Sequence, residues 1–422
     1  MGELFPYQRT GASFLGGRHK ALLADGMGLG KTPQAIAACD AIGARKIAVV
    51  CPAVARINWQ RELDRWGKIP DREIIIESYD KVAQRGDVYS RIKAMQPDVL
   101  ILDEAHYLKN RSSKRTKSLY GQFCRGDGLV AAAKRVWLLT GTPAPNDVSE
   151  IYSHLKALWP ELLPAPGTYE AFVKAYTVFE STPFGIKILG NKNIKELREK
   201  LKPIMLRRRA EDVLKDLPAI NWHDVAIEAN DVQIDESQPE VAELLEAIKT
   251  DRPLPDSTAM ASIRRLTGMA KAPAIARLLA EELAANAYDK VIVFAHHKAV
   301  VQHLEEALRE FSPVVITGET PPKMRQVAID SFQSTPRVRV FIGNIQAAST
   351  AITLTAASQV VFAEASWAPA DNAQAAKRAH RIGQTRPVMV RMIGLAGSID
   401  EAVTRVLARK SRLVSQLLEQ EN

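Results

Sequence analysis

The chain has 422 residues, room for two or three domains by the usual length of a domain. With 46% hydrophobic and 25% charged residues the composition is that of a globular protein, which excludes global disorder and permits a large core. The 57 Lys and Arg exceed the 48 Asp and Glu by a net charge of +9, which points to a polyanionic partner or to a solvated basic surface.

Leu4 to Arg9 opens the chain, and Gln8 is placed either to read an adenine edge through its amide or to lie on the surface. A short apolar run, Ala21 to Ala24, leads into Asp25-Gly26-Met27-Gly28-Leu29-Gly30-Lys31-Thr32, and Pro33 to Ile42 then reads as a helix. Strand, glycine-rich loop and helix are the context a phosphate-binding loop needs. Backbone N–H groups from Met27, Gly28, Leu29 and Gly30 would close around phosphate oxygens at a helix N-terminus, itself partly positive. Lys31 would reach the β- and γ-phosphates of ATP, and Thr32 would offer its hydroxyl to Mg2+. The plain pattern asks for glycine where this chain has Asp25.

Apolar strands then alternate with helices. Ile47 to Val50, Ile74 to Ile76, Val99 to Leu102 and Val136 to Leu139 read as strands, and Arg56 to Trp66 as a helix. This rhythm predicts a parallel sheet covered on both faces, with its chemistry at the carboxyl ends of the strands. Asp103 and Glu104 stand at such an end. Asp103 is placed to hold Mg2+ and Glu104 to deprotonate the attacking water, the alternative being a helix cap. Thr140 and Thr142 follow the next strand, where small hydroxyl residues would relay between nucleotide and partner.

From Glu161 to about Leu217 the rhythm stops. Ile194 to Leu201 is predicted as a helix with Asn193 and Glu196 at its start. Between Asn191 and Lys215 nine basic residues face four acidic ones, a net +5 that makes this either a solvated face or a contact surface for a polyanion. The segment reads as helical, with no inserted aromatic hairpin to split a duplex. Asn230 to Ser257, acidic and with three prolines, reads as a piece of the inter-lobe connection, and Ser262 to Leu283 as helix.

A second series follows. Val291 to Phe294, Val314 to Ile316, Val338 to Ile342 and Gln359 to Phe362 read as strands; Val300 to Leu308 and a segment ending at Phe332 read as helices. The chain closes on a helix from Ile399, capped by Ser398 and Glu401. Within Gln374 to Gln384, Arg378 and Arg381 are three apart on one helical face. They are a surface pair, or guanidinium groups that neutralise charge on a γ-phosphate.

The three cysteines, Cys39, Cys51 and Cys124, form no CxxC pair. They are expected to be buried reduced thiols of a soluble intracellular protein with no zinc site. No secretory pattern opens the chain, Pro6 occupies the position where myristoylation favours Ser or Thr, and no apolar run approaches a bilayer span.

Four motifs appear in order: Asp-x-Met-Gly-Leu-Gly-Lys-Thr (Asp25 to Thr32), Asp-Glu-Ala-His (Asp103 to His106), Leu-Thr-Gly-Thr-Pro (Leu139 to Pro143) and Gln-Ala-x-x-Arg-x-His-Arg-Ile-Gly-Gln (Gln374 to Gln384). Together they resemble the Swi/Snf-type ATPases of helicase superfamily two, and Asp25 belongs to that family's pattern. Met205 to Arg208, with Val213 and Leu217-Pro218, resembles the family's segment bracing two lobes; Phe294 to Lys298 is most similar to the annealing-helicase branch. The resemblance spans essentially the whole chain.

It implies an α/β protein of two tandem RecA-like lobes, with ATP and Mg2+ in the cleft and double-stranded or branched DNA across the top. By motif, Gln8 contacts adenine and Arg378 and Arg381 are arginine fingers. The candidate DNA contacts are Asn58, Tyr79, Lys298, Ser349, Thr350 and Trp367, the last matching a family tryptophan near the DNA path or else a core aromatic. Ala351 stands where the family usually has glycine, and its Cβ would limit backbone approach to DNA.

The expected division is lobe one over 1–160, a helical insertion and brace over 161–227, a connection over 228–260 and lobe two over 261–422. The expected protein is a monomeric motor without accessory modules, a DNA-stimulated ATPase moving along duplex. A strand-separating helicase, a motor subunit of a larger complex and a DNA-binding scaffold without hydrolysis are the rivals.

Overall fold

The computed structural model describes residues 3–26, 28–141, 143–144, 147–182, 185–214, 217–228, 246, 258–345 and 352–420. Two compact units divide the chain, residues 1–213 and 214–422.

In the first unit, β1 (Lys20–Leu23), β2 (Lys46–Cys51), β3 (Glu73–Ser78), β4 (Val99–Asp103) and β5 (Val136–Leu139) form a parallel sheet. The interior strands are near-continuous Val, Ile and Leu runs: 47–51, 99–102 and 136–139 are at most 3% exposed. Such runs suit strands covered on both faces. The spatial order is β3-β2-β4-β5-β1, and a short strand, β8 (Met205–Leu206), adds on beyond β1. A helix over Pro6–Gly16 precedes the sheet. Its start is fixed by proline in the first turn and by the Phe5 N–H, which donates to Gln8 Oε1 at 3.0 Å.

The insertion departs from the sequence expectation. The helix Ile194–Leu201 is present, but β6 (Thr177–Thr182) and β7 (Gly185–Asn191) pair as an antiparallel hairpin. The signal was in the residues: two runs with alternating β-branched or apolar side chains flank Pro183-Phe184-Gly185, a turn composition. The expected cap on Ile194–Leu201 also differs. Asn193 sits at φ 52° and its amide donates to the Ala175 carbonyl at 2.8 Å, while Glu196 accepts from the Tyr176 hydroxyl at 3.1 Å.

In the second unit, β9 (Ile220–Ile227), β10 (Val291–Ala295), β11 (Val314–Ile316), β12 (Val340–Asn344), β13 (Gln359–Phe362) and β14 (Val388–Leu395) make another all-parallel sheet, ordered β11-β12-β10-β13-β14-β9. Two of these strands were not read from sequence. β9 is an edge strand that mixes polar and apolar residues, and β14 follows directly on the Gln374 to Gln384 motif. Phe294, Phe341, Val360, Phe362 and Val390 are fully buried around the sheet. The segment 161–227 is thus shared: its residues to Val213 lie in the first unit, and β9 completes the second sheet.

All three cysteines are free and buried, and burial pushes the Cys39 thiol up to about 12 and the Cys124 thiol up to about 11. Among the described residues no helix is long and apolar enough to cross a membrane.

Candidate active site

Three neighbouring strands of the first sheet, β4, β5 and β1, end on one edge, and the candidate residues of that unit follow them. After β1 the glycine loop turns through two left-handed positions, Gly28 at φ 81° and Gly30 at φ 69°. A Cβ on Gly30 would also lie 2.4 Å from Gln8 Nε2, so the left-handed φ favours glycine there and a side chain would displace the Gln8 amide. Lys31 and Thr32 open the helix Lys31–Ala41, and the Lys31 ammonium donates to the carbonyls of Asp25 at 2.8 Å and Gly26 at 3.2 Å. These donors and the helix N-terminus make an anion cradle. Met27 lies outside the described residues.

Asp25, where the plain pattern has glycine, is fully buried. Its carboxylate accepts from Arg208 Nε at 3.0 Å and Nη2 at 2.5 Å, and from Gln34 Nε2 at 3.1 Å. Arg208 also donates to Gln34 Oε1 at 2.9 Å and to the Tyr7 carbonyl, and its guanidinium stands 5.3 Å from the Tyr7 ring. The backbone repeats the connection: Ala24 N–H donates to the Leu206 carbonyl at 2.7 Å and Gly26 N–H to the Arg208 carbonyl at 2.8 Å. The segment 204–208 therefore continues the sheet alongside the loop. Close approach makes this possible at Gly11, where a Cβ would fall 1.8 Å from Gln34 Oε1 and 2.7 Å from Arg208 Nη2.

Gln8 is 4% exposed, not a surface residue. Its amide nitrogen donates to the Leu29 carbonyl at 3.2 Å, so in this structure it braces the loop.

At the end of β4, Asp103 Oδ2 accepts from the Trp59 indole at 2.8 Å and Oδ1 from the Glu104 N–H at 3.0 Å. Burial and, behind it, the adjacent Glu104 charge push the Asp103 carboxyl up to about 6, against the pull of the Trp59 N–H and of Lys31. Glu104 is in the left-handed region at φ 50°, an uncommon conformation for a residue with a Cβ, of the kind that gathers at functional sites. The His106 ring links it onward: Nδ1 is 3.4 Å from Glu104 Oε2 and 3.2 Å from Thr140 Oγ1. Thr140 is fully buried at the end of β5, its N–H donating to the Leu23 carbonyl of β1 at 3.1 Å. Thr142 lies outside the described residues.

Two adjacent carboxylates beside a lysine and a loop built for anions suit a divalent cation that arrives with its phosphates. No group of three or more His, Cys, Asp or Glu able to hold a metal occurs among the described residues.

Of the candidate DNA contacts, Tyr79 is corrected. It is 2% exposed, its hydroxyl donates to the Asp103 carbonyl at 2.7 Å, and its ring stacks on Tyr107 with centroids 5.5 Å apart. Burial removes it from any DNA surface and makes it a support of the acidic pair. Asn58 is half-buried on the helix Arg56–Trp66, and Lys298 is exposed and paired with Glu319. Trp367 is half-buried against the second core with the Arg264 guanidinium 5.4 Å from its ring. Ser349, Thr350 and Ala351 lie outside the described residues. In the second unit Arg378 is 2% exposed, while Arg381 is half-buried and donates to the Ile352 carbonyl at 3.0 Å and to Thr353 Oγ1 at 3.2 Å.

Sequence reasoning gave no individual role to Arg208, Gln34, Trp59 or His106. Arg208 had a signal, as a member of the bracing segment; Gln34 and Trp59 had none, since each reads as an ordinary residue on a helix.

The model of the SNF2-related domain matches residues 7–71 and 67–263, and that of the helicase conserved C-terminal domain residues 271–383. The mouse DNA annealing helicase and endonuclease ZRANB3 is 31% identical over 99% of this chain and 41% of its own length. The Xenopus tropicalis SWI/SNF-related matrix-associated actin-dependent regulator of chromatin subfamily A-like protein 1 is 31% identical over 98% of this chain and 45% of its own. The chain thus spans less than half the length of these relatives. Among solved structures, the Sulfolobus solfataricus SWI2/SNF2 ATPase core in complex with dsDNA is 25% identical, covering 99% of this chain and 93% of its own, with a TM-score of 0.45. With the SNF2-related model matching more than half of its residues, and the helicase C-terminal model four strands of the second sheet, β10 to β13, the chain belongs to the SNF2-related family.

Proposed function

We propose that this chain is an ATP-hydrolysing motor that moves along double-stranded DNA, with remodelling or re-pairing of branched DNA as its outcome. The observation that supports this best is the constellation at the ends of β1, β4 and β5: anion loop, acidic pair and buried threonine, joined through His106. Met27 to Gly30, Lys31 and Thr32 hold the phosphates, and Gln8 stands at the adenine side. Asp103 and Thr32 would hold Mg2+, which would supply charge neutralisation at the phosphates. Glu104 takes the proton of the attacking water. His106 senses the state of Glu104 and passes it to Thr140, and onward to Thr142. Arg378 and Arg381 supply positive charge to the transferred phosphoryl group. Asn58, Lys298, Ser349, Thr350 and Trp367 remain the proposed DNA contacts. The names of the relatives, an annealing helicase and a chromatin regulator, support DNA as the track.

The test measures ATPase rate with no nucleic acid, duplex DNA, single strands, forks and RNA. Stimulation by duplex DNA is expected; stimulation by RNA alone, or by nothing, would overturn the reading. A triplex and a fork then distinguish translocation from strand separation. ATP-dependent release of the third strand is expected, and fork unwinding without triplex displacement would establish the rival helicase.

A further inference from the structure

The β6–β7 hairpin is a sheet of two strands, with no third strand beside it among the described residues. Such a ribbon is marginal by itself and exists here because its root is built into the first unit. Tyr176, at the root, is 1% exposed; its hydroxyl donates to Glu196 and accepts from Lys200 Nζ at 2.9 Å. The side-chain oxygen of Asn191, the last residue of β7, accepts from the Val148 N–H at 3.3 Å.

The arms carry an unusual surface. Val178, Phe179, Ile186 and Leu189 are 48%, 36%, 38% and 58% exposed, four of the ten large apolar side chains that are exposed among the described residues. Phe179 pairs in register with Ile188, and Ser181 with Ile186, which puts an apolar row on one face; Val178, one residue before Phe179, lies on the other by strand alternation. Cations surround the root. Lys174, Lys192, Lys195 and Arg198 are exposed with no ion pair among the described residues, whereas Lys200 and Lys202 are paired to Glu196 and Glu199. On the arms themselves the sequence has one acid, Glu180, opposite Lys187 in the ladder.

We infer that this hairpin is the surface that meets the junction between paired and unpaired DNA, its apolar ridge against unstacked bases and its basic root against the adjoining phosphates. The inference rests on the DNA-motor reading and adds to it the structure recognised. An intact duplex shows a protein on its flank mainly phosphate and sugar, which the four root cations match and the apolar ridge does not. Only unpaired bases offer faces that an aromatic and aliphatic ridge can cover, next to charges that root cations can neutralise. A protein partner would meet the ridge but would leave the unpaired cations unexplained.

The experiment uses the whole chain and two fluorescent probes, a fork with unpaired arms and a blunt duplex of the same sequence, at one salt concentration. Phe179→Thr with Ile186→Thr keeps β-branched residues in both strands and removes the two exposed apolar side chains of that row. It should weaken fork binding about 10-fold, on the order of one lost base stack, and change duplex binding less than about twofold. Lys195→Gln with Arg198→Gln should weaken both probes and lower the salt slope by about two. Phe179→Trp, which preserves the ridge, should change its emission on the fork and not on the duplex. Unaltered fork affinity in the threonine variant, or equal loss on both probes, would overturn the inference while duplex-stimulated ATPase left the motor reading standing. A wild-type dimer that becomes monomeric in the threonine variant would overturn it in favour of a second copy on the ridge. A wild-type chain stimulated by no DNA would remove the motor reading and this inference together.

Discussion

Arg208→Ala tests the claim that the glycine loop is held from outside. Asp25 is fully buried and Arg208 is 14% exposed, so the pair is an interior one. The substitution removes both guanidinium bonds to Asp25, the bond to Gln34 Oε1 and the bond to the Tyr7 carbonyl, and leaves the carboxylate one remaining side-chain donor, Gln34 Nε2. Breaking a buried pair from one side costs about 3–5 kcal/mol, and the Gln34 donor argues for the lower end, ~3. In a folding unit of 213 residues, that corresponds to a fall in Tm of about 6–12 °C. Nucleotide binding should also weaken, because the loop loses the contact that pre-sets Ala24 to Gly26. Asp25→Asn combined with Arg208→Ala removes both charges and should recover at least half of the lost stability, giving a coupling energy of ~1.5 kcal/mol or more. Differential scanning calorimetry of the four proteins closes the cycle, and ATP titrations follow the loop. A single-variant Tm within about 2 °C of wild type, or two strictly additive single substitutions, would refute the argument.

Other expectations concern the chemistry and the core. Lys31→Ala and Glu104→Gln should both abolish turnover while only Glu104→Gln keeps tight ATP binding; equal loss of binding by calorimetry would end that division of roles. Arg381→Ala should lower kcat and DNA stimulation with little change in ATP affinity, and undiminished stimulation would remove the finger assignment. His154 is buried, bonded to the Tyr120 hydroxyl at 2.7 Å, and held down to about 3 by burial and then by His106. Its folded pKa lies below the unfolded value, so its neutral form is the one folding favours. Stability is complete above pH ~6.5 and is lost as pH falls from there toward 3, by up to ~1.4 kcal/mol per unit. His154→Phe should flatten the stability curve between pH 6 and 4, and an unchanged acid slope in chemical denaturation would contradict this.

The strands that the sequence revealed are continuous apolar runs. The limits of Val136–Leu139 and Gln359–Phe362, inside their sheets, and of Val314–Ile316, at a sheet edge, are as those runs suggest, because a parallel strand packed under helices has little reason to alternate. β9 and the hairpin escaped because their side chains serve two environments: Trp222 is 8% exposed between exposed Asn221 and His223, and Phe179 faces outward beside buried Thr177. The same limit applies to the site. Lys31, Thr32, Asp103 and Glu104 are legible because they are local to a strand end and a loop. Gln34, Trp59 and Arg208 act across distances in the chain that no local pattern encodes; Arg208 is 183 residues from the carboxylate it holds.

The position at which the plain phosphate-loop pattern fails is where the structure connects most. A glycine at 25 would serve the turn and nothing else, whereas the aspartate gives the loop an anchor that reaches Arg208 and, through it, Tyr7 and Gln34. The first unit ends five residues after Arg208, at Val213. The side chain that fixes the start of the phosphate loop therefore stands on the stretch of chain that leaves for the second unit. Strain on that stretch would act on Asp25 through these bonds, and rearrangement of the loop would act on the stretch by the same bonds. Arg208→Lys separates a charge requirement from a geometric one, since an ammonium cannot span Asp25, Gln34 and the Tyr7 carbonyl together. If the guanidinium fork carries this coupling, the lysine variant should keep most of its stability and bind ATP, yet lose DNA stimulation of hydrolysis. A lysine variant stimulated as strongly as wild type would reduce Arg208 to a charge that keeps Asp25 buried.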